Sequence, residues 1–458
     1  MTMPSRSSIP GTLRASRLGA ASAFAIAAGA LALGRSLAAE TVRLTADAAA
    51  ARVVEVSSAA AAALERTNAA HASVASADAS AGPQLLASAA LARRSSVPAF
   101  VLPFTAPGQP PLVLVPDITT TYAAGLRLQQ PLYTGGAIGA QRGAARADLR
   151  GADAGRAQTT ADLRLAAQTS YWQAVRTAAS VDVARAQEER AQRLLADTQA
   201  LLDAGMAVDA DVLAARERVA SARVGTITAE ANAADAHDQL RSLLHLPPDA
   251  VVELADTLAG RLPAPPAAVG ELVRRALDGR PEVGAAGAAI AGLAERADLA
   301  GAPARPSVAA VAEWDYDRPN ALYFPQLDQF KQSWSVGVFG SWTLYDGGKA
   351  GADAAAARAQ AAAAAHDRDE LQRRITVEVQ TDARRLSAAI ATVEAADAAR
   401  AAAVERESAA RDRHAAGLAA MAEILDAEAQ LAAAEQQQVD TRAAAWLAAA
   451  TLDRAVGR

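Results

Sequence analysis

The sequence predicts a mainly α-helical protein with a membrane β-barrel part, built from one unit that occurs twice in the chain. Apolar residues make up 52% of the 458 residues but aromatic residues only 4%, and most of the apolar residues are alanine, the strongest helix former. Two long segments, residues 137–204 and 349–416, contain no proline. Each follows a Gly-Gly pair, and a stretch of alternating apolar and polar residues precedes each pair, which is typical of a strand.

The first 39 residues have the composition of a secretory signal peptide. Residues 1–17 contain three arginines and no acid, residues 18–33 are apolar or small, and Ser36 to Ala39 offers small residues for cleavage. The alternative is an N-terminal membrane anchor. Cleavage predicts a mature chain that begins near residue 39 or 40, outside the cytoplasm.

The composition also excludes several classes of function. The chain has no cysteine, so disulfide scaffolds, thiolate metal sites and cysteine nucleophiles are excluded. Its net charge of −5 and interspersed charges are not typical of a nucleic-acid-binding protein. The five histidines show no metal-ligand spacing, and no glycine loop is suited to phosphate. We therefore expect no enzyme, no cofactor and no metal.

An internal repeat organises the rest of the chain. Tyr133-Thr134-Gly135-Gly136 recurs 212 residues later as Tyr345-Asp346-Gly347-Gly348, and the same offset maps Gly205 onto Gly417. Each copy therefore consists of a strand, a Gly-Gly turn, a long helix, a glycine and a second helix.

The repeat predicts three regions after the signal peptide. The first repeat covers residues 40–246, with an N-terminal helix, a strand pair in 95–134 and a helical hairpin in 137–246. Residues 247–306 form a linker and equatorial helices. The second repeat, 307–458, has a strand pair in 307–346 and a helical hairpin in 349–456.

The strands before the Gly-Gly pairs have one apolar face with aromatic ends. In the second copy this face comprises Trp334, Val336, Val338, Trp342 and Leu344, and in the first copy Tyr122, Ala124, Leu126 and Leu128. This pattern is typical of a membrane-barrel strand, although an antiparallel soluble sheet also produces it. Residues 307–316 alternate as a partner strand. The expected counterpart near residues 98–104 is interrupted by prolines.

A closed membrane barrel would need strands from several chains. No segment after the first forty residues offers the ~20 consecutive apolar residues that a spanning helix needs, so any crossing must use the strands of a closed barrel. Four strands per chain fall short of the usual minimum of about eight. Three chains would supply twelve strands, and their helices would continue the barrel as a tube that narrows toward Gly205 and Gly417.

These motifs resemble those of the TolC-like outer membrane efflux proteins, the outer membrane factor family. The resemblance rests on residues 130–136, on Tyr171 in the first long helix, on Ala204-Gly205, and on their recurrence at 344–348 and Ala416-Gly417. It implies a homotrimer in the outer membrane, with a 12-stranded β-barrel above a periplasmic α-helical barrel. Such a trimer is the exit duct of a tripartite efflux pump or a type I secretion system. Its partners are a periplasmic adaptor, or membrane fusion, protein and an inner-membrane RND or ABC transporter.

The resemblance also implies a periplasmic aperture. Asp211, Glu423 and Asp426 match acids at this aperture, and three-fold symmetry would turn each into a ring that favours cations. The alternative is an acid that stabilises a helix N-terminus. Two positions depart from the family: Ala419 stands where a basic residue is usual, and His414 replaces an aromatic residue.

Three further sets of residues are candidates for function. The tips that would contact the adaptor comprise Ala204, Gly205, Met206, Ala416, Gly417 and Leu418, and the alternative is a simple helix C-cap. The strand-to-helix turns comprise Gly135, Gly136, Gly347 and Gly348. The membrane-interface aromatic residues would be Tyr122, Trp334 and Trp342, and the alternative for them is ordinary strand packing.

A second function remains open from the sequence alone. A periplasmic or surface coiled-coil scaffold, similar to an adaptor, would explain the helices and the repeat. It gives no reason for alternating strands before both Gly-Gly pairs.

Overall fold

The computed structural model describes residues 41–102 and 111–458, so the predicted signal peptide lies outside the described residues. The molecule has a β-sheet at one end, two long helical hairpins that extend away from it, and a smaller group of helices and strands beside the hairpins. Within the described residues, no helix is both long and apolar enough to cross a membrane.

One antiparallel sheet contains strands from both repeats. Its order is β2-β5-β7-β8, comprising β2 (Gln84–Arg93), β5 (Thr120–Tyr133), β7 (Ser307–Arg318) and β8 (Lys331–Ser341). The strands β2 and β8 form its two edges. Because every neighbouring pair is antiparallel, β2 and β8 run in opposite directions.

The register confirms the alternation that the sequence predicts. Leu126 lies opposite Trp314, which in turn lies opposite Trp334. Following the register, one face carries Leu85, Ala87, Ala89, Leu91, Tyr122, Ala124, Leu126, Leu128, Ala310, Ala312, Trp314, Tyr316, Trp334, Val336 and Val338. The other face carries the charged residues Arg127, Glu313, Asp315, Asp317 and Lys331, with Arg127 Nε 3.0 Å from Glu313 Oε1.

Two strand predictions are wrong. The outer strand of the first repeat is β2, not a segment near residues 98–104, where β3 (Phe100–Leu102) instead pairs with β4 (Leu112–Val115) in a small hairpin. The residues of β2 are rich in alanine and leucine and do not alternate, so their sequence resembles the helical N-terminal stretch. Pairing with β5 along the whole strand overrides that helix propensity.

The end of β8 also differs from the prediction. The strand ends at Ser341, so Trp342 and Leu344 lie beyond it. The Trp342 indole N–H donates a hydrogen bond to the Ala304 carbonyl at 3.1 Å, which turns this residue toward the connection before β7.

The helical hairpins have identical lengths in the two repeats. The long helices α3 (Ala137–Asp203) and α7 (Lys349–Ala415) have 67 residues each, and the returning helices α4 (Asp209–Leu243) and α8 (Met421–Ala455) have 35 each. At ~1.5 Å per residue the long helices extend roughly 100 Å. We call α3–α4 the first hairpin and α7–α8 the second hairpin. They pack against each other through α3 and α8.

Glycines in left-handed backbone conformations begin both long helices. Gly136 and Gly348 are the N-cap residues, with φ of 91° and 85°. The Asp346 carboxylate accepts hydrogen bonds from the Gly348 and Ala350 N–H groups, both at 2.8 Å. A side chain at Gly135 would place Cβ 2.8 Å from the Ala302 carbonyl oxygen, so this glycine is required by space as well as by its φ of 63°.

The equatorial part packs beside the hairpins, from their middle to the sheet. It contains β1 (Thr41–Leu44) paired in parallel with β6 (Val251–Leu254), and the helices α1 (Ala46–Val56), α2 (Ser58–Ala79), α5 (Val269–Gly279) and α6 (Pro281–Gly301). Tyr171 of α3 is fully buried here; its hydroxyl donates to the Leu44 carbonyl and accepts from the Asp256 N–H, both at 3.0 Å. Trp172 stacks on Trp446 at 4.7 Å, which anchors α8 to this core.

A cluster of ion pairs joins the equatorial helices to both hairpins. Arg454 of α8 donates to Asp162 of α3 at 2.7 Å and to Glu282 of α6 at 2.6 Å. Arg280 donates to Glu282 at 3.1 Å and to Glu378 of α7 at 2.7 Å. Burial opposes the ionisation of Glu282, but the hydrogen bonds from Arg280 and Arg454 outweigh it and lower its pKa to about 2.

The lowered pKa predicts an acid-sensitive contribution to stability. A carboxyl whose folded pKa is depressed stabilises the fold fully above its ordinary value of 4.5, and this contribution is lost as the pH falls through about 2. We expect Glu282→Gln to lower the thermal unfolding midpoint at pH 7. The difference from the unsubstituted protein should shrink below pH 4.5, as measured by circular dichroism of the helices in detergent. A difference that stays constant down to pH 2 would contradict the assignment.

Candidate functional site

Both hairpins end in the same glycine-terminated turn, at the end of the molecule away from the sheet. In the first turn Gly205 has φ 74°, and the Met206 N–H donates to the Leu201 carbonyl at 2.8 Å. In the second turn Gly417 has φ 71°, and the Leu418 N–H donates to the Arg413 carbonyl at 2.7 Å. This is the Schellman arrangement, which satisfies the last helical carbonyls and requires a left-handed residue.

The turns expose apolar side chains. Met206 is 68% exposed and Leu418 is 78% exposed, and Ala204 and Ala416 beside them are exposed too. All six residues of the predicted tips therefore lie together at one end of the molecule, with an unpartnered apolar side chain on each turn.

The three predicted aperture acids have different environments. Asp211 is half-buried, and its carboxylate accepts a hydrogen bond from the Val208 N–H at 3.2 Å, so it caps the start of α4. Glu423 forms an ion pair with Arg413, and Asp426 forms one with Arg406 at 2.8 Å. The helix-capping alternative therefore describes the contact that Asp211 makes, whereas Glu423 and Asp426 are matched by arginines of α7.

Arg406 and Arg413 reduce the negative charge that the sequence predicts for the aperture. A three-fold ring of Glu423 and Asp426 would contain as many arginines as acids and would carry little net charge. Arg406 and Arg413 were missed from the sequence because only residues after the glycine were considered. Residues at similar distances before and after a hairpin turn lie side by side on the two helices, and this spacing could have identified them.

The two residues that depart from the family pattern contact each other. His414 Nδ1 lies 3.1 Å from the Ala419 carbonyl oxygen, a hydrogen-bonding distance across the second turn. This contact joins the two sides of one hairpin and does not extend to the other hairpin.

A buried charged cluster inside the tips was also missed from the sequence. Glu428 of α8 is only 2% exposed and lies between Arg218 of α4 and Arg411 of α7. Glu428 follows Ile424 by four residues and precedes Leu431 by three, and both of these are buried. A glutamate at a position that helical periodicity assigns to the apolar face was the signal that could have found it.

Aromatic residues lie near both ends of the apolar sheet face. Tyr122 lies 5.8 Å from Phe330, which stacks on Tyr316 at 5.1 Å, at the end away from the helices. Trp334 is 75% exposed on the same face, and Trp342 is 60% exposed near the helical end. Two aromatic zones that border an apolar band are the arrangement found at membrane interfaces.

No group of three or more His, Asp or Glu side chains is arranged to hold a metal ion in the part of the chain that the structure describes. The candidate site is the tip region, which combines the two turns, the exposed side chains of Met206 and Leu418 and the paired charges of Glu423 and Asp426.

The sequence also matches a known protein family. The sequence pattern of the family described as outer membrane efflux protein matches residues 31–245 and 272–458, which is most of the chain. None of the curated proteins matches the chain.

Solved structures of channels have the same fold. The outer-membrane channel OprN is 22% identical with a TM-score of 0.72, over 90% of this chain and 89% of OprN. The outer membrane protein VceC of Vibrio cholerae is 18% identical with a TM-score of 0.74, over 90% of this chain and 96% of VceC. The outer membrane channel MtrE of Neisseria gonorrhoeae, in its open state, is 17% identical with a TM-score of 0.67, over 90% of this chain and 88% of MtrE.

The turns predict opposite effects for two glycine substitutions. At both Gly417 and Gly287, an exposed glycine inside α6, an added Cβ would meet no other atom within 4 Å. Only Gly417 has a positive φ, which costs a residue with a side chain about 1–2 kcal/mol. We expect Gly417→Ala to lower the thermal unfolding midpoint and Gly287→Ala to raise it, because alanine is favoured over glycine inside a helix by roughly 0.5–1 kcal/mol. Shifts of the same sign, measured by circular dichroism, would refute this account.

Proposed function

The chain belongs to the outer membrane efflux protein family, and from this premise we propose that three copies assemble into one exit duct. As a member of this family the protein is an outer-membrane efflux channel with a periplasmic helical part. Channels of this family are homotrimers that work with periplasmic adaptor proteins and inner-membrane transporters, and its members are channels rather than enzymes.

The observation that carries the proposal is the four-stranded sheet with two open edges and an apolar face. Each of the edge strands β2 and β8 has a row of N–H and C=O groups without a strand partner among the described residues. In lipid such groups cannot remain unpaired. Since β2 and β8 run in opposite directions, β8 of one copy can pair antiparallel with β2 of the next, and three copies close a barrel of twelve strands.

The helices support the same assembly. The contacts α4–α3, α3–α8 and α8–α7 place α4 and α7 at the two outer sides of one protomer. The outer helix α4 exposes Leu213, Val224 and Ile227, and α7 exposes Val377 and Val404. A ring of three protomers would bring α4 of one copy against α7 of the next and bury these side chains. The two repeats would then alternate around the duct, which places residues 40–246 of one copy beside residues 307–458 of the next. Residues 247–306 would lie around the middle of the duct.

We assign the tips to the periplasmic entrance. Met206 and Leu418, with the glycines beside them, form the proposed contact with the adaptor, because they are exposed, apolar and on the same end. Asp211, Glu423 and Asp426 lie directly behind the tips and form the proposed aperture. Tyr122, Trp334 and Trp342 form the proposed membrane-interface zones, and a cleaved signal peptide over residues 1–39 would export the chain.

We propose efflux of small molecules rather than type I protein secretion as the role of the duct. The support is the family description, which names efflux. Cargo choice belongs to the inner-membrane transporter in this scheme, because Glu423 and Asp426 of the proposed aperture are paired with arginines.

Reconstitution into planar lipid bilayers tests the proposal. We expect the purified mature protein to produce discrete, uniform conductance steps. The same preparation heated to dissociate its subunits serves as the control and should produce none. A folded preparation that remains helical but never inserts or conducts would contradict the duct and favour the scaffold alternative.

The paired aperture charges predict the ion selectivity of these channels. Replacing Arg406 and Arg413 together with glutamine leaves Glu423 and Asp426 unpaired, so three copies would present unbalanced rings of acids that attract cations. We expect a clear increase in cation preference, measured as the reversal potential in a potassium chloride gradient. Arg384→Gln, an exposed arginine of α7 far from the tips, is the matched control. An unchanged reversal potential would show that these pairs do not border the pore.

A further inference from the structure

A polar groove lies in the part of the first hairpin that is nearest to the equatorial core. Its floor is α3, and its two sides are α4 and α8. Its volume of about 830 Å³ is within the range of about 300–1,000 Å³ that is usual for small-molecule sites. Amide and hydroxyl side chains line it on all three helices, among them Gln173, Ser180, Gln187, Asn232, Gln239 and Gln436.

The groove lies on the side of α3 that is turned away from the equatorial part. Gln173, Ser180 and Gln187 are spaced by seven residues, which is close to two helical turns, so they form one line along the helix. At about 100° per residue this line is opposite Tyr171 and Val175, which are buried in the equatorial core. In the proposed duct the equatorial part lies around the helices, so the groove faces the lumen.

The second hairpin shows that helix packing does not need these polar residues. Under the repeat offset of 212, Gln187 corresponds to Ala399. By the same offset Asn232 corresponds to Ala444. The helices that carry these residues have the same lengths in both repeats. A hairpin of this size therefore forms with alanine at both positions, and the polar side chains of the groove call for another reason.

Gly225 keeps the groove open on the α4 side. It lies in the interior of α4, where glycine is disfavoured relative to alanine. An added Cβ would meet no other atom within 4 Å, so close packing does not require a glycine at this position. What Gly225 contributes is space in the groove, which it lines.

The charges of the groove favour a solute with an amino group. Arg176 is paired with Asp440 at 2.8 Å, so its guanidinium group is already matched. Asp235 lines the groove, is exposed, and is in no ion pair within the described residues. Amide groups both donate and accept hydrogen bonds, so they suit hydroxyl groups, which also do both. One free carboxylate among amides and hydroxyls therefore suits an amino sugar better than an apolar molecule or an anion.

We propose that this groove is a lumenal binding site for hydroxyl-rich solutes that carry an amino group, and that such solutes occupy it as they pass through the duct. The proposal rests on the exit duct described above and adds a class of solute to it. The inner-membrane transporter still admits the cargo, whereas the groove holds it briefly. Because the groups of the empty groove bond to water, the net gain per hydrogen bond is small, and we expect roughly millimolar affinity that lets the solute leave.

Protection of a single thiol tests binding without requiring conduction. The chain has no cysteine, so Gly225→Cys in the detergent-solubilised mature protein places its only thiol in the groove. At pH 7 we expect glucosamine, well above millimolar concentration, to slow the modification of this thiol by a methanethiosulfonate reagent several-fold, and glucose to slow it less. The control is Gly287→Cys, at an exposed glycine of α6, where neither sugar should slow the modification.

Further substitutions identify the group that recognises the amine. Adding Asp235→Asn should remove the advantage of glucosamine over glucose, because the carboxylate is lost. Glu217→Gln, at an exposed glutamate of α4 outside the groove, should leave that advantage unchanged. Thr228→Cys places a thiol on the same side of the groove and should show the same protection, so the test does not depend on one cysteine variant.

Bilayer recordings test whether the groove is occupied during transit. We expect glucosamine to cause brief interruptions of the current through the unsubstituted channel. Gly225→Leu fills the groove with a side chain for which α4 has open space, and should make these interruptions several-fold rarer. The helix content of this variant, measured by circular dichroism, should be unchanged.

The outcomes separate the groove from the proposed duct. Equal modification rates with and without glucosamine at both Gly225→Cys and Thr228→Cys would overturn the site while leaving the duct intact. Equal protection by glucose and glucosamine, or an advantage of glucosamine that persists in Asp235→Asn, would overturn the class of solute. A protein that never conducts would contradict the duct, and thiol protection would still decide whether the groove binds.

Discussion

The edges of the four-stranded sheet impose the constraint on which the rest of the molecule depends. In an outer-membrane channel the apolar face of this sheet lies in lipid, and lipid offers no partner for the edge N–H and C=O groups of β2 and β8 that have no strand partner among the described residues. Closure with identical neighbours is the solution that the antiparallel order of the strands permits. The helices then follow, because each Gly-Gly turn leads from a strand of the sheet into a long helix.

The two repeats solve the same structural problem with different side chains. Asp346 caps the second long helix by accepting two backbone hydrogen bonds, while Thr134 accepts one from Ile138 at 3.2 Å in the first. At the tips, Asp211 caps a helix whereas its repeat counterpart Glu423 pairs with Arg413. The shared backbone therefore positions the hairpins, and the differences between the copies place the charges that distinguish the second hairpin from the first.

The sequence allowed prediction of those parts of the fold that depend on local patterns. Alternation in residues 120–133 and the positive-φ glycines, such as Gly205 and Gly417, identified strands and turns because both signals lie within a few residues. The strand β2 was missed because its alanine-rich residues satisfy a helix equally well until β5 pairs with them. The partners of Glu428 could not be predicted for another reason: Arg218 and Arg411 lie on other helices, and only the packing of the hairpins brings them to Glu428.

The number of chains in the purified, detergent-solubilised particle tests the central claim most directly. Native mass spectrometry of the mature protein should give one species that contains three chains, because channels of this family are homotrimers and closure of the trimer pairs every open edge of the sheet. A stable particle with a single chain, folded and dispersed without detergent, would show that β2 and β8 need no neighbours and would contradict the account.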